Sequence, residues 1–195
     1  MNTDENIELL DIVDETGEPT GEVVPRETAH QTGIRHRTSH VWLLRRRNGK
    51  PQLLLQKRSA NKDSFPGCFD ISSAGHIPAG TDFVQSALRE LSEELGVEAE
   101  AEELIFCGQR RFEVRETFRG RPYWDRQVSN VYLLWRDMEA AEFHPQESEL
   151  ESVQWMDLCD CVQMVTTASA PTCIQMEELT MIKRYLDNAG MAAQS

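Results

Sequence analysis

The segment from Thr81 to Gly96 constrains this chain more than any other. Val84, Ala87, Leu88, Leu91 and Leu95 recur at the spacing of one buried helix face. Thr81 or Asp82 can cap the start, and Gly96 stands where a left-handed C-terminal cap belongs. Glu90, Glu93 and Glu94 fall at i, i+3 and i+4, so they share one side of that helix, beside the apolar arc. Like charges so spaced destabilise a helix by about 0.2–0.5 kcal/mol per pair in water, and a divalent cation is the simplest relief. Crowded carboxylate oxygens suit Mg²⁺ or Mn²⁺. In an acidic protein a solvated acidic helix face would read the same way. The glycine-rich turn Gly75–Gly80 leading in, Arg89 before the cluster and Gly96 after it tip the balance toward a site.

The rest of the chain reads as strands with one further helix. A hairpin is expected over Glu8–Val24, turning at Asp14-Glu15-Thr16-Gly17. Strands are expected at His40–Leu44 and Gln52–Gln56, joined by Asn48-Gly49-Lys50-Pro51. A short run follows near Phe69–Ser72, then strands at Leu104–Phe112, Val128–Trp135 and Ser152–Met156. A second amphipathic helix is expected from about Thr172 to Leu186, with Ile174, Leu179, Ile182 and Leu186 inward, then a frayed polar tail. This mixture predicts a three-layer α/β/α sandwich. Trp42 and Trp155 are expected in the core, and Arg45-Arg46-Arg47 on a solvated strand edge.

At 195 residues, one well-cored domain suffices. A net charge of −13 disfavours a nucleic-acid polymer as partner, though not a small phosphate-bearing ligand at a local basic cluster. No apolar run is long enough to cross a membrane. The acidic start lacks a signal peptide's positive region, and five scattered cysteines form no disulfide framework, so a cytoplasmic protein is expected.

The pattern Gly75-x5-Thr81-x7-Arg89-Glu90-Leu91-Ser92-Glu93-Glu94-Leu95-Gly96-Val97 resembles the Nudix box, Gly-x5-Glu-x7-Arg-Glu-U-x-Glu-Glu-x-Gly-U. One specified position departs: Thr81 stands where the family has Glu. The resemblance implies a mixed sheet between helices and hydrolysis of a nucleoside diphosphate linked to another group, with Mg²⁺ or Mn²⁺. It implies that Glu90, Glu93 and Glu94 hold metal, that Glu90 also orients the attacking water, and that Arg89 steadies a carboxylate. The carbonyl of Ala74 would add a metal ligand. The missing Glu would ordinarily pair with Arg89 and brace the loop, a part that Asp82 could take. The implied layout is an N-terminal extension at 1–38, a Nudix domain at 39–170, and a C-terminal helix and tail at 171–195.

Ala29-His30, His36-Arg37, Gln56–Ser59, Lys62-Asp63 and Phe65-Pro66-Gly67 are similar to the branch holding type 1 isopentenyl diphosphate isomerase and its hydrolase cousins. That isomerase has a catalytic cysteine two residues before the histidine matching His76, and this chain has Ala74 there. Without the thiol its protonation chemistry is missing, which favours a hydrolase. The substrate would be a small nucleotide-like or isoprenoid diphosphate. The isomerase's second metal site would correspond to His30, His36 and His76, with Asp125 as a distal carboxylate. Structural hydrogen bonding accounts for these histidines about as well. Arg58, Lys62, His76, Arg110, Arg111 and Trp124 are candidate substrate contacts, the last three from the arginine- and aromatic-rich stretch Arg110–Arg126. The alternatives are the isomerase itself and a catalytically idle, nucleotide-sensing module. The N-terminal hairpin could supply a homodimer contact.

Overall fold

The computed structural model describes residues 7–62, 64–146 and 148–190. Asp63, the acidic start through residue 6 and the expected frayed tail from 191 on lie outside the described residues. Strands β1 (Leu9–Val13) and β2 (Pro19–Pro25) form the expected hairpin as a separate two-stranded sheet. Helix α1 (Arg26–Thr32) follows, then β3 (His36–Arg47), β4 (Lys50–Arg58), β5 (Phe69–Asp70) and β6 (Ser73–His76). Helix α2 (Phe83–Leu95) precedes β7 (Ile105–Phe118), β8 (Arg121–Trp135) and β9 (Leu150–Asp157), and α3 (Leu158–Thr167) and α4 (Met176–Asn188) close the described chain.

The large sheet is mixed. β3 pairs in parallel with β8 along one edge, and in antiparallel fashion with β6 and then β4 along the other. Where β6 and β4 diverge, the Ser72 hydroxyl fills the gap: it accepts from the Leu43 N–H (2.8 Å) and donates to the Leu54 carbonyl (2.6 Å). Side chains alternate across β3, so its two faces feed two cores. Trp42 and Leu44 pack with Leu53, Leu55, Val131 and Leu133 beneath α3 and α4. Val41 and Leu43 pack with Leu54, Leu134, Leu91 and Leu95 beneath α2. A strand buried on both faces needs an unbroken apolar run, which Val41–Leu44 supplies. The result is an α/β/α sandwich.

Several elements differ from expectation. β7 and β8 are one long hairpin: the charged, aromatic stretch between the two apolar runs continues the ladder to Phe118↔Arg121. Helix α1 is too short to show a helical repeat, whereas α3 carries Leu158, Cys161, Val162 and Val165 at helical spacing, a signal that the reading of the chain as strands with one further helix passed over. α4 begins at Met176 rather than Thr172, although Ile174 is already buried. Arg45 is buried, not solvated: its guanidinium donates to Gln52 (2.8 Å) and the Met138 carbonyl (2.9 Å) and lies 4.5 Å from the Trp155 ring. Only Arg46 and Arg47 of that triplet are exposed. Among the described residues no helix is long and apolar enough to cross a membrane.

At the start of α2 the cap is Asp82, whose side chain accepts from the Gln85 N–H (2.8 Å). Gly96 closes the helix at φ 67°. Asp82→Ala is expected to cost about 1 kcal/mol, and Thr81→Ala less than about 0.5 kcal/mol. Urea denaturation would check both, as a shift in midpoint at constant slope.

Candidate functional site

The last two turns of α2 lie against β6, and glycine at position 75 makes this possible. A Cβ on Gly75 would sit 2.2 Å from the Glu90 carboxyl carbon, so a larger residue would drive that carboxylate away. Arg89 pairs with Glu90 (2.5 Å) and Glu93 (2.7 Å) and holds both on the same side. Glu94 is buried, and its Oε2 accepts from the Ala74 N–H at 3.3 Å. Burial, reinforced by the nearby Glu90, pushes the Glu94 carboxyl up to about 8. Burial also raises Glu90, against the opposing pull of Arg89. These are hard oxygen donors brought together at an energetic cost that a divalent cation would offset, so the residues present fit Mg²⁺ or Mn²⁺.

The carboxylates form one wall of a cavity of about 420 Å³. Ala74 and Arg89 also line it, as do Arg58, Lys62, His76 and Arg110. The cations among these are tied to carboxylates, Arg58 to Asp70 (3.0 Å), Lys62 to Glu149 and Arg110 to Glu178. The structure does not bring Arg111 or Trp124 into the cavity. Arg111 donates to the Glu15 carbonyl of the N-terminal hairpin. The Trp124 indole donates to Glu113 (2.9 Å), and its ring fills the space beside Gly33 under the Arg115 guanidinium.

A second cluster reaches the same cavity through His76 and Asp125. One ligand atom from each of His30, His36 and His76 lies within 4.8 Å of the others. His30 comes from α1 and His36 from the start of β3, whereas His76 ends β6. His36 Nδ1 lies 2.9 Å from the Ile34 carbonyl, which can only accept, so Nδ1 carries the proton. In the neutral ring Nε2 then points a lone pair toward Asp125 Oδ1, 3.3 Å away. Burial lowers His30 to about 4 and holds His76 well below the usual imidazole range, which keeps both rings neutral. Three imidazoles and a carboxylate so converged can hold a divalent cation. Tyr123 (3.1 Å) and Gln127 (2.6 Å) donate to the other oxygen of Asp125 and fix its orientation.

Sequence reasoning missed His40 and Glu178. Glu178, on α4, is buried beneath the cavity, where it accepts from the Trp42 indole (2.7 Å) and Arg110 and lies 2.9 Å from His40 Nδ1. Burial pushes its carboxyl up, but His40, Arg110 and Trp42 outweigh that and hold it down at about 2. One signal was there to read: Glu178 lies one turn from both Ile174 and Ile182, on the helix's buried arc. Glu178→Gln removes the buried partner of Arg110, leaving it the exposed Glu177 at 3.7 Å, and should cost about 3–5 kcal/mol at pH 7. The folded-state value lies below the unfolded one of about 4.5, so the charged group's contribution is present above pH 4.5 and is lost as pH falls toward 2. Urea denaturation of both proteins at pH 7 and pH 3 would therefore show the gap narrowing in acid.

Comparison with known proteins places the chain in a family. The family model described as NUDIX domain matches residues 34–172. The chain is 36% identical over 143 residues to an uncharacterised Nudix hydrolase of Clostridium acetobutylicum, covering 73% of this chain and 66% of that protein. Over 90 residues, 46% of this chain, it is 52% identical to Nudix hydrolase 3 of Arabidopsis thaliana, of which it spans 11%. The NUDIX domain of Shewanella oneidensis NrtR, solved with ADP ribose, superposes with a TM-score of 0.56 at 18% identity, covering 77% of this chain and 87% of that one. The chain belongs to the NUDIX family.

Proposed function

We propose that this chain is a Mg²⁺- or Mn²⁺-dependent hydrolase that cleaves the diphosphate linkage of a small nucleotide-like or isoprenoid metabolite. The observation that carries the reading is the buried, raised Glu94 beside Glu93 and beside Glu90, itself packed on Gly75, in a cavity that Arg58, Lys62 and Arg110 also line. When bound there, a divalent cation neutralises charge on phosphate oxygens and acidifies a coordinated water. Glu90, Glu93, Glu94 and the Ala74 carbonyl would hold it. Glu90 also orients the attacking water, with Arg89 holding the Glu90 and Glu93 side chains in place. Arg58, Lys62 and Arg110 would meet phosphate oxygens as charged donors. The histidine cluster with Asp125 would hold a second cation facing the same substrate.

The ADP ribose bound by the Shewanella domain supports a nucleoside diphosphate as the substrate class. The isomerase is disfavoured because Ala74 presents no thiol to the cavity. Cys173 does line it, but burial raises that thiol and its Sγ lies against the Phe69 carbonyl. The net charge of −13 supports a small-molecule partner over a nucleic-acid polymer, and scattered cysteines support a cytoplasmic location. The Nudix fold proper would occupy 39–170, with 1–38 as an extension packed on it and 171–195 supplying Glu178 from α4.

Chromatographic detection of the phosphate-ester, pyrophosphate and phosphate products over nucleotide sugars, dinucleotides, nucleoside triphosphates and isopentenyl diphosphate, with Mg²⁺ or Mn²⁺, tests the reading. Turnover should require the metal. Glu94→Gln should lower kcat by more than about 100-fold, since even groups behind a metal ligand are worth about 10- to 100-fold. Full activity in EDTA, or an unimpaired Glu94→Gln, would overturn it. Formation of dimethylallyl from isopentenyl diphosphate would favour the isomerase instead.

A further inference from the structure

We propose that Asp11 and Arg37 are positioning residues for the metal helix: a buried ion pair between the N-terminal hairpin and β3 that fixes the turn from which α2 starts. The inference rests on the reading of α2 given above. Strand β1 runs along this turn, with the Ala79 N–H donating to the Leu9 carbonyl (2.8 Å) and Leu10 bridging to Pro78. Asp11 Oδ2 lies 2.7 Å from Arg37 Nη2 and accepts from the Gly80 N–H at 3.0 Å. The same Nη2 donates to the Thr81 carbonyl (2.9 Å), and the guanidinium stands 5.3 Å from the Phe83 ring. The Arg37 backbone carbonyl accepts from the Ile77 N–H (3.1 Å). One residue therefore holds both ends of the turn, Ile77 and Thr81. Asp82 and its cap follow directly.

The consequence for the site is geometric. The turn joins the strand carrying Gly75 to the helix carrying Glu90, and those two residues are packed too closely to admit a methyl group. Slack in the turn shifts the carboxylates relative to Ala74 and Gly75. A buried ion pair adds little stability over an apolar equivalent, because both charges lose their hydration. Its effect here is to set the register of α2. Thr81 offers this turn its carbonyl, and the carboxylate comes from Asp11 across the chain.

The test uses the full chain, with Mn²⁺ binding followed by electron paramagnetic resonance and amide exchange at Gly80 by mass spectrometry or NMR. Asp11→Ala should weaken Mn²⁺ binding about 10- to 100-fold and accelerate exchange at Gly80. Asp11→Asn, which keeps an acceptor and loses the charge, should fall between, and it serves if Asp11→Ala fails to fold. Val24→Ala thins the hairpin's own apolar contact with Leu10 and Ala29, and should lower the melting temperature without changing Mn²⁺ affinity. Faster Gly80 exchange in the Asp11 variants with wild-type Mn²⁺ affinity would overturn the proposal, as would an equal loss of affinity in Val24→Ala. Absence of Mn²⁺ binding by the wild-type chain would instead remove the metal reading of α2, and this inference with it.

Discussion

A carboxylate taken out of water must find donors or a cation, and this requirement organises the molecule around its cavity. Four carboxylates are buried among the described residues: Asp11, Glu94, Asp125 and Glu178. Two are well supplied, and Asp125 is supplied on one oxygen, its Oδ1 lacking a hydrogen-bond partner among the described residues. Asp11 has Arg37 and the Gly80 N–H, Asp125 has Tyr123 and Gln127, and Glu178 has Arg110, Trp42 and His40. Glu94 has the Ala74 N–H at 3.3 Å and faces another carboxylate, Glu90. The same burial therefore gives opposite outcomes: Glu178 is held down at about 2 and Glu94 is pushed up to about 8. Under the proposed function, Glu94 is where a cation would supply the missing partner.

The sheet provides the frame for these pairings. Alternation along β3 sends Trp42 and Leu44 to one core and Val41 and Leu43 to the other, while the N-terminal end of the strand supplies His36, Arg37, Thr38 and His40. β6 pairs with this same end and brings Ala74, Gly75 and His76 alongside. Helices on both faces then close the site, with Glu94 carried by α2 and Glu178 by α4. A packed core beneath a polar cavity would suit the proposed reaction on a highly charged linkage, since donors that are already oriented need no reorganisation.

Much of the fold and part of the site were legible in the residues. The α2 pattern announced itself because three independent features coincided: a 3.6-residue apolar repeat, a glycine at each flank and carboxylates on one arc. The strands around Val41–Leu44 and Leu53–Leu55 were legible as short apolar runs. Arg45 was not, because a guanidinium can be buried when a ring face, a side-chain amide and a carbonyl await it; the amide is that of its cross-strand neighbour Gln52, but the ring of Trp155 and the carbonyl of Met138 come from residues distant in the chain. Arg111 and Trp124 looked like ligand contacts from the company they keep, yet alternation along β7 and β8 sends them away from the cavity that Arg110 and Asp125 line.

What the chain determines by itself is local: a helix with three carboxylates in register, the glycines its ends require, and the box pattern that assigns it to the NUDIX family. What the tertiary structure decided is which charges meet. Asp11 reaches Gly80 across 69 positions, His40 reaches Glu178 across 138, and His30 meets His76 across 46. Such pairings depend on sheet order and on which face a side chain takes, and no local spacing encodes either. The helix from Thr81 to Gly96 was the plainest feature of the sequence, yet its anchor is a carboxylate from the opening hairpin.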